Sequence, residues 1–73
     1  MKMKKFAIID LECTCSNDGS IPRDEMEIIE IGCVITDIDG NISDEIDIFV
    51  KPIIHTELTD FCIELTGITQ EKV

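Results

Sequence analysis

At 73 residues with 44% apolar content, the chain is one small domain at most, with material for one modest core and too much of it for a disordered polypeptide. Its 16 acidic residues against 6 basic ones leave a net charge of −10, which repels phosphate backbones at long range and disfavours nucleic-acid binding by this surface unless metal ions bridge the charges. No run approaches the ~20 apolar residues of a membrane span.

The basic start, Met1-Lys2-Met3-Lys4-Lys5, leads into an apolar run that stops at Asp10 with no small-residue cleavage site, so no secretory signal is expected. The run itself, Phe6 to Thr14, reads as a first strand. Side chains alternate along a strand, so Phe6, Ile8, Asp10 and Glu12 share one face and Ala7, Ile9, Leu11 and Cys13 the other. With Phe6 and Ile8 directed at a core, Asp10 and Glu12 continue that face where the core gives out. Two carboxylates so close repel each other unless a cation lies between them. Mg²⁺ or Mn²⁺ suits that place, because hard divalent ions favour carboxylate oxygens and are often held by one or two of them. Taken alone, Asp-x-Glu is also what a solvated acidic strand end looks like.

Cys13, Cys15, Cys33 and Cys62 are expected as reduced thiols of a cytoplasmic protein. Cys13-Thr14-Cys15 lacks the two-residue spacer and the second ligand pair of a zinc site. Ser16 to Asp24 is dense in turn formers and reads as a flexible loop able to flank a cleft. Met26 to Thr36 is rich in β-branched residues and reads as a second strand, with Ile29, Ile31, Cys33 and Ile35 on one face. Glu30 falls on the other with Ile28, Gly32 and Val34. A charge there wants a partner or a sheet edge; structural pairing is the reading for Glu30, and a share in a metal site the alternative.

Asp39-Gly40 signals a hairpin turn into a third strand from about Ile42 to Val50. There Ile46, Ile48 and Val50 alternate with Glu45, Asp47 and Phe49, as in an antiparallel strand with one wetter face. Lys51 to His55 is an extended connector. Leu58, Phe61, Cys62 and Leu65 then form the stripe of a short amphipathic helix capped by Thr56 or Thr59 and stopped by Gly67. A second helix is expected to begin after Thr69. His55, alone in its connector, reads as a surface or packing residue. The fold expected is α/β (α+β), a three-stranded antiparallel meander followed by short helices.

Four stretches together resemble one family. Ile9-Asp10-Leu11-Glu12-Cys13-Thr14-Cys15, Glu27-Ile28-Ile29-Glu30-Ile31-Gly32, Val50-Lys51-Pro52 and Leu58 to Thr69 are similar, in order and spacing, to the amino-terminal part of DEDD-type (DEDDh) 3′-to-5′ exonucleases with a ribonuclease H-like fold, in the branch of the histone mRNA 3′-end exonuclease. The resemblance implies an exonuclease that hydrolyses nucleic acid, RNA rather than DNA, from a single-stranded 3′ end. It implies Asp10 and Glu12 as catalytic metal ligands, two Mg²⁺ or Mn²⁺ ions in the complete site, and Cys13, Leu65 and Thr66 as contacts to the terminal nucleotide. It also implies a second Asp and a later His with a third Asp, none of which has a counterpart in these 73 residues. The expectation is therefore residues 1–73 as the N-terminal half of one truncated exonuclease domain, carrying the first catalytic motif only and inactive alone. The competing expectations are a non-catalytic acidic interaction module and an orphan fragment that self-associates through an open sheet edge.

Overall fold

The computed structural model describes residues 4–73, so Met1, Lys2 and Met3 of the basic start lie outside the described residues. Three strands, β1 (Lys5–Cys13), β2 (Ile28–Asp37) and β3 (Ile42–Phe49), form an antiparallel sheet in the order β1-β2-β3. One helix, α1 (Asp60–Thr66), follows, and the chain passes through 3₁₀ turns at Arg23–Glu25 and Gln70–Lys72. The β2–β3 turn is tied by Asp37, whose carboxylate accepts the backbone N–H of Asp39 and of Asn41 at 2.9 Å each. Gly40 supplies the left-handed residue, at φ +87°, that this turn requires.

The sheet is bare over most of its length. Phe6 and Ile8 are 48% and 59% exposed, with nothing packed over them among the described residues; Ile9, Leu11, Ile46 and Ile48 on the opposite face are exposed too. Both faces of β3 are open among the described residues. The radius of gyration is 15.4 Å and the extents 51 × 24 × 19 Å, against about 11 Å for a compact chain of this length. The buried apolar residues of the sheet and helix gather at one end, where Ile29, Leu58, Cys62 and Ile68 form the core with Cys15, Phe49, Ile63 and Val73 packed around it.

Helix α1 is fixed to that end by its cap. Thr59 Oγ1 accepts the Cys62 N–H at 3.0 Å and donates to the Cys15 carbonyl at 2.6 Å, so one hydroxyl starts the helix and docks it. Gly67, at φ +74°, stops it, its N–H donating to the Ile63 carbonyl at 2.8 Å. Leu58 and Cys62 of the expected stripe are buried, but Leu65 is 66% exposed. With only seven residues the helix turns Leu65 away, and Ile68, beyond Gly67, takes the buried place. The second helix is a single 3₁₀ turn after Thr69, whose side chain makes no capping bond. Gln70 anchors it, accepting the Leu58 N–H at 2.6 Å and donating to the Thr56 carbonyl at 2.9 Å.

The 16–24 segment is more constrained than a free loop. Ser16 Oγ accepts the Ile21 N–H at 2.9 Å, and Ile21 is buried. At its base, Thr14 is fully buried and exchanges two bonds with Glu27, its N–H donating to the Glu27 carbonyl at 2.8 Å and its hydroxyl accepting the Glu27 N–H at 2.9 Å.

Candidate metal-binding carboxylate face

Register decides which carboxylates meet. Asp10 stands opposite Gly32, which stands opposite Asp47; Glu12 stands opposite Glu30. Residues directly opposite in an antiparallel ladder share a face, so Asp10, Glu12, Glu30 and Asp47 all belong to one side of the sheet. Ile8 and Asp10 of β1, Glu30 and Gly32 of β2, and Glu45 and Asp47 of β3 line a shallow trough of about 450 Å³ on that side. A Cβ on Gly32 would lie 3.7 Å from the Asp10 carbonyl oxygen, an ordinary contact, so glycine there is not forced by a clash. It leaves the floor between Asp10 and Asp47 open.

The electrostatics are those of crowded like charges. The Glu30 carboxyl is held above its ordinary value, first by a hydrogen bond with Asp47, then by partial desolvation, then by the charges of Asp47, Glu12 and Asp10. A proton between Glu30 and Asp47 would relieve that repulsion, and so would a bound cation. Among the described residues, no three His, Cys, Asp or Glu side chains converge into a metal-holding cluster. Carboxylates are donors of the kind a hard divalent ion takes, often one or two of them with water completing the shell, and these do not by themselves make a closed cage. Glu30 has Asp47 beside it on this face, a like charge and not an ion-pair partner. The alternation that put Asp47 on one face with Glu45 and Phe49 was visible in the sequence; the hairpin register that brings it to Glu30 was the missing signal.

The other predicted residues lie close to this strand end or away from it. Cys13 follows Glu12 at a break in the β1–β2 register, and its carbonyl accepts the Cys62 Sγ–H at 3.6 Å, which fastens α1 to the end of the carboxylate strand. Cys15 is pushed up to about 11, by burial first and then by its hydrogen bond with Cys62 and the charges of Cys62, Cys13 and Glu12, so it stays a protonated, unreactive thiol. Thr66 is engaged at the helix end, its hydroxyl donating to the Cys62 carbonyl at 2.8 Å and accepting the Ile68 N–H at 3.1 Å. Leu65, one turn beyond Cys62, faces solvent and lines a second shallow cavity with Phe61 and Glu64.

His55 is not isolated, as its connector suggested. Its Nε2 lies 2.8 Å from Glu25 Oε1. Beside it the Glu27 carboxylate accepts the Ile53 N–H at 2.9 Å and the Ile54 N–H at 2.7 Å. Those bonds, the Ile53 one foremost, hold Glu27 below the usual carboxylate range. They clamp the connector after β3 to the segment before β2, and nothing in local spacing announced them.

Comparison with known proteins places this geometry. An exonuclease family model (RNase_T) matches residues 7–73. Human 3′-5′ exoribonuclease 1 is 46% identical over 69 residues, covering 93% of this chain and 20% of the relative. Among solved structures, the nuclease domain of 3′hExo, a DEDDh family member bound to rAMP, superimposes with a TM-score of 0.84 at 43% identity, over 97% of this chain and 36% of that one. A 3′-exonuclease described as recognising the histone mRNA stem-loop superimposes with a TM-score of 0.85 at 43% identity, over 97% of this chain and 25% of that one. The chain thus spans about a fifth of the length of this curated relative.

Proposed function

Because the chain belongs to the exonuclease family, whose DEDDh members use divalent metal ions, we propose that it supplies the first carboxylate pair of a 3′-to-5′ exonuclease acting on the 3′ end of single-stranded RNA. The observation that carries this reading is the register that sets Asp10 and Glu12 side by side on one face, across from Gly32 and Glu30. RNA is favoured over DNA as substrate because the similar proteins are named exoribonucleases and one is described on a histone mRNA stem-loop.

Asp10 and Glu12 are acceptors only when ionised, so their work is to hold cations, Mg²⁺ or Mn²⁺, two in the complete site. Bound there, such ions supply charge stabilisation to the phosphodiester and activate the attacking water. The Cys13 carbonyl and Cys62, which join β1 to α1, orient the helix that carries Leu65 and Thr66 toward the terminal nucleotide in this reading. The one histidine of the 73 residues is paired with Glu25, so this reading assigns it no role as general base at the carboxylate pair. That costs typically 10²–10⁴ in rate where such a base operates, and hydrolysis by the 73-residue chain alone is expected to be undetectable or very slow. A cytoplasmic setting is part of the proposal on a separate ground, that Cys13, Cys15, Cys33 and Cys62 are free thiols, as a reducing compartment keeps them.

Thermal unfolding with added Mn²⁺ tests the pair directly. The ion should raise the midpoint saturably in the wild type and not in Asp10→Asn or Glu12→Gln. A 5′-labelled single-stranded RNA tests the reaction; any shortening must proceed from the 3′ end and vanish in Asp10→Asn. Equal Mn²⁺ responses in wild type and both variants would overturn the assignment.

A further inference from the structure

The β1–β2 ladder loses its register between Glu12 and Cys13, immediately after the carboxylate pair. Beyond that break the chain is held by Glu27. Its main chain exchanges two bonds with the fully buried Thr14, at 2.8 and 2.9 Å. Its carboxylate reaches the connector after β3, where it accepts the Ile53 N–H at 2.9 Å and the Ile54 N–H at 2.7 Å. One residue thus bonds both the segment that leaves Glu12 and the segment that leads to α1. Bonds from backbone N–H groups to a carboxylate are charge-assisted and stronger than neutral ones.

The helix has a second set of ties to the same strand end. Thr59 donates to the Cys15 carbonyl at 2.6 Å and Cys62 to the Cys13 carbonyl at 3.6 Å, the latter through a thiol, a weak donor. Both ties fall on one short stretch of chain, and a helix of seven residues fastened along one stretch is free to pivot about it. The grip on Ile53 and Ile54 is an anchor on a different segment, upstream of the cap. It closes a ring that runs from Cys15 to Thr14, across to Glu27, across to Ile54, along the connector to Thr59 and back to Cys15. Within the connector, Gln70 holds the Thr56 carbonyl at 2.9 Å and the Leu58 N–H at 2.6 Å, so little slack separates the two anchors.

We infer that Glu27 is a positioning residue: through Ile53 and Ile54 it fixes the orientation of α1 relative to Asp10 and Glu12, and so the place where a terminal nucleotide meets the carboxylate pair. The inference rests on the reading of Asp10 and Glu12 as metal ligands and of Leu65 and Thr66 as nucleotide contacts; Glu27 itself touches neither metal nor nucleotide. Without the Glu27 carboxylate, the metal pair keeps its place. The ladder still sets Asp10 opposite Gly32 and Glu12 opposite Glu30, and the bonds to Thr14 use only the Glu27 main chain. Because Glu27 lies outside the core cluster, its replacement opens no cavity. The helix alone loses an anchor. Metal binding and nucleotide binding therefore respond differently to the substitution, a split that a general loss of stability does not produce.

Two titrations of the 73-residue chain read the split. Mn²⁺ added during thermal unfolding reports on the metal pair, and adenosine 5′-monophosphate added with Mn²⁺ present, followed by amide NMR shifts well below the melting midpoint, reports on the nucleotide. Glu27→Gln should keep the wild-type midpoint increment from Mn²⁺. Its apparent dissociation constant for the nucleotide should rise about tenfold, as for a helix in place a tenth of the time. Glu27→Asp, which keeps the charge but withdraws it by one methylene, should fall between, and it reads the same split should Glu27→Gln not fold. Glu25→Gln removes a neighbouring carboxylate that meets the His55 ring rather than the connector backbone, and it should leave the constant at its wild-type value. An unchanged constant in Glu27→Gln, or a rise matched by Glu25→Gln, overturns the inference and leaves the reading beneath it standing. A Mn²⁺ increment lost together with the nucleotide also overturns it, since Glu27 would then support the whole strand end. A wild-type chain that takes up no nucleotide overturns the reading itself, and the inference with it.

Discussion

The two ends of β2 are built from the same kind of residue and live in different surroundings. At its start Ile29 is fully enclosed by Leu58, Cys62 and Ile68. Toward its hairpin end the neighbours on β1 and β3, such as Ile9 and Ile46, are 60% and 45% exposed. The packed end is held by bonds between residues far apart in sequence, from Thr59 to Cys15, Cys62 to Cys13 and Glu27 to Ile53 and Ile54. The bare end is held by its ladder and a turn. Stability and the carboxylate pair are therefore separated along the sheet, and they meet only where Glu12 passes into Cys13.

The largest expected effect probes that contrast with one residue type. Ile29→Ala should lose about 2–5 kcal/mol, enough to unfold a chain this small, whereas Ile9→Ala at an exposed position of the same sheet should lose under about 1 kcal/mol. Urea titration followed by circular dichroism measures both, and similar losses would erase the distinction between the ends.

Next come the hydroxyls that join segments at the packed end. Thr14→Val leaves the Glu27 N–H without its buried acceptor and should cost about 1–3 kcal/mol. Thr59→Ala removes both a helix cap and the bond to Cys15 and should cost about 1–2 kcal/mol. The same denaturation experiment ranks them below Ile29→Ala.

The pH response should separate the regions by sign. Glu27 is lowered from 4.5, so its contribution is present above that value and lost as pH falls through its folded value; Glu27→Gln should flatten the acid limb of the melting curve. Glu30 is raised from 4.5, so the stability it lends is present below that value and lost as pH rises through its folded value. Glu30→Gln should raise the melting temperature at neutral pH and leave the acid limb unchanged. Identical profiles for the two variants would contradict the assignments.

The smallest effect belongs to α1's outer face. Leu65→Ser should change stability by no more than about 0.5 kcal/mol, because Leu65 faces solvent. A larger loss in a thermal melt would mean that Leu65 packs against something.

Much of this layout was legible in the sequence where a residue's role depends on its immediate neighbours. Alternation put Asp10 and Glu12 on one face, Asp39-Gly40 marked the turn, and Gly67 and one of two threonines, Thr56 or Thr59, bounded the helix. The similarity of four spaced stretches to one nuclease family was legible too, and the family match agrees. What local pattern could not supply was coverage. Phe6 and Ile8 have the alternation of core residues, but whether anything packs on them depends on elements distant in the chain. The same holds for Glu30 with Asp47, a matter of hairpin register, and for His55 with Glu25 and Glu27 with the Ile53–Ile54 backbone, which join positions some thirty residues apart.

The Glu27 clamp has a topological consequence. By gripping the backbone of Ile53 and Ile54, it ties together the two points where the β2–β3 hairpin leaves and rejoins the packed end. The hairpin is thus an excursion closed at its base, and the length of its tip is uncoupled from everything the base holds. Doubling the length of a flexible loop costs only about 0.6 kcal/mol in closure entropy, so residues inserted between Ile38 and Asn41 would lengthen the excursion without disturbing the Cys62–Cys13 contact or the spacing of Asp10 and Glu12. The hairpin tip is the place where this chain can accept added sequence.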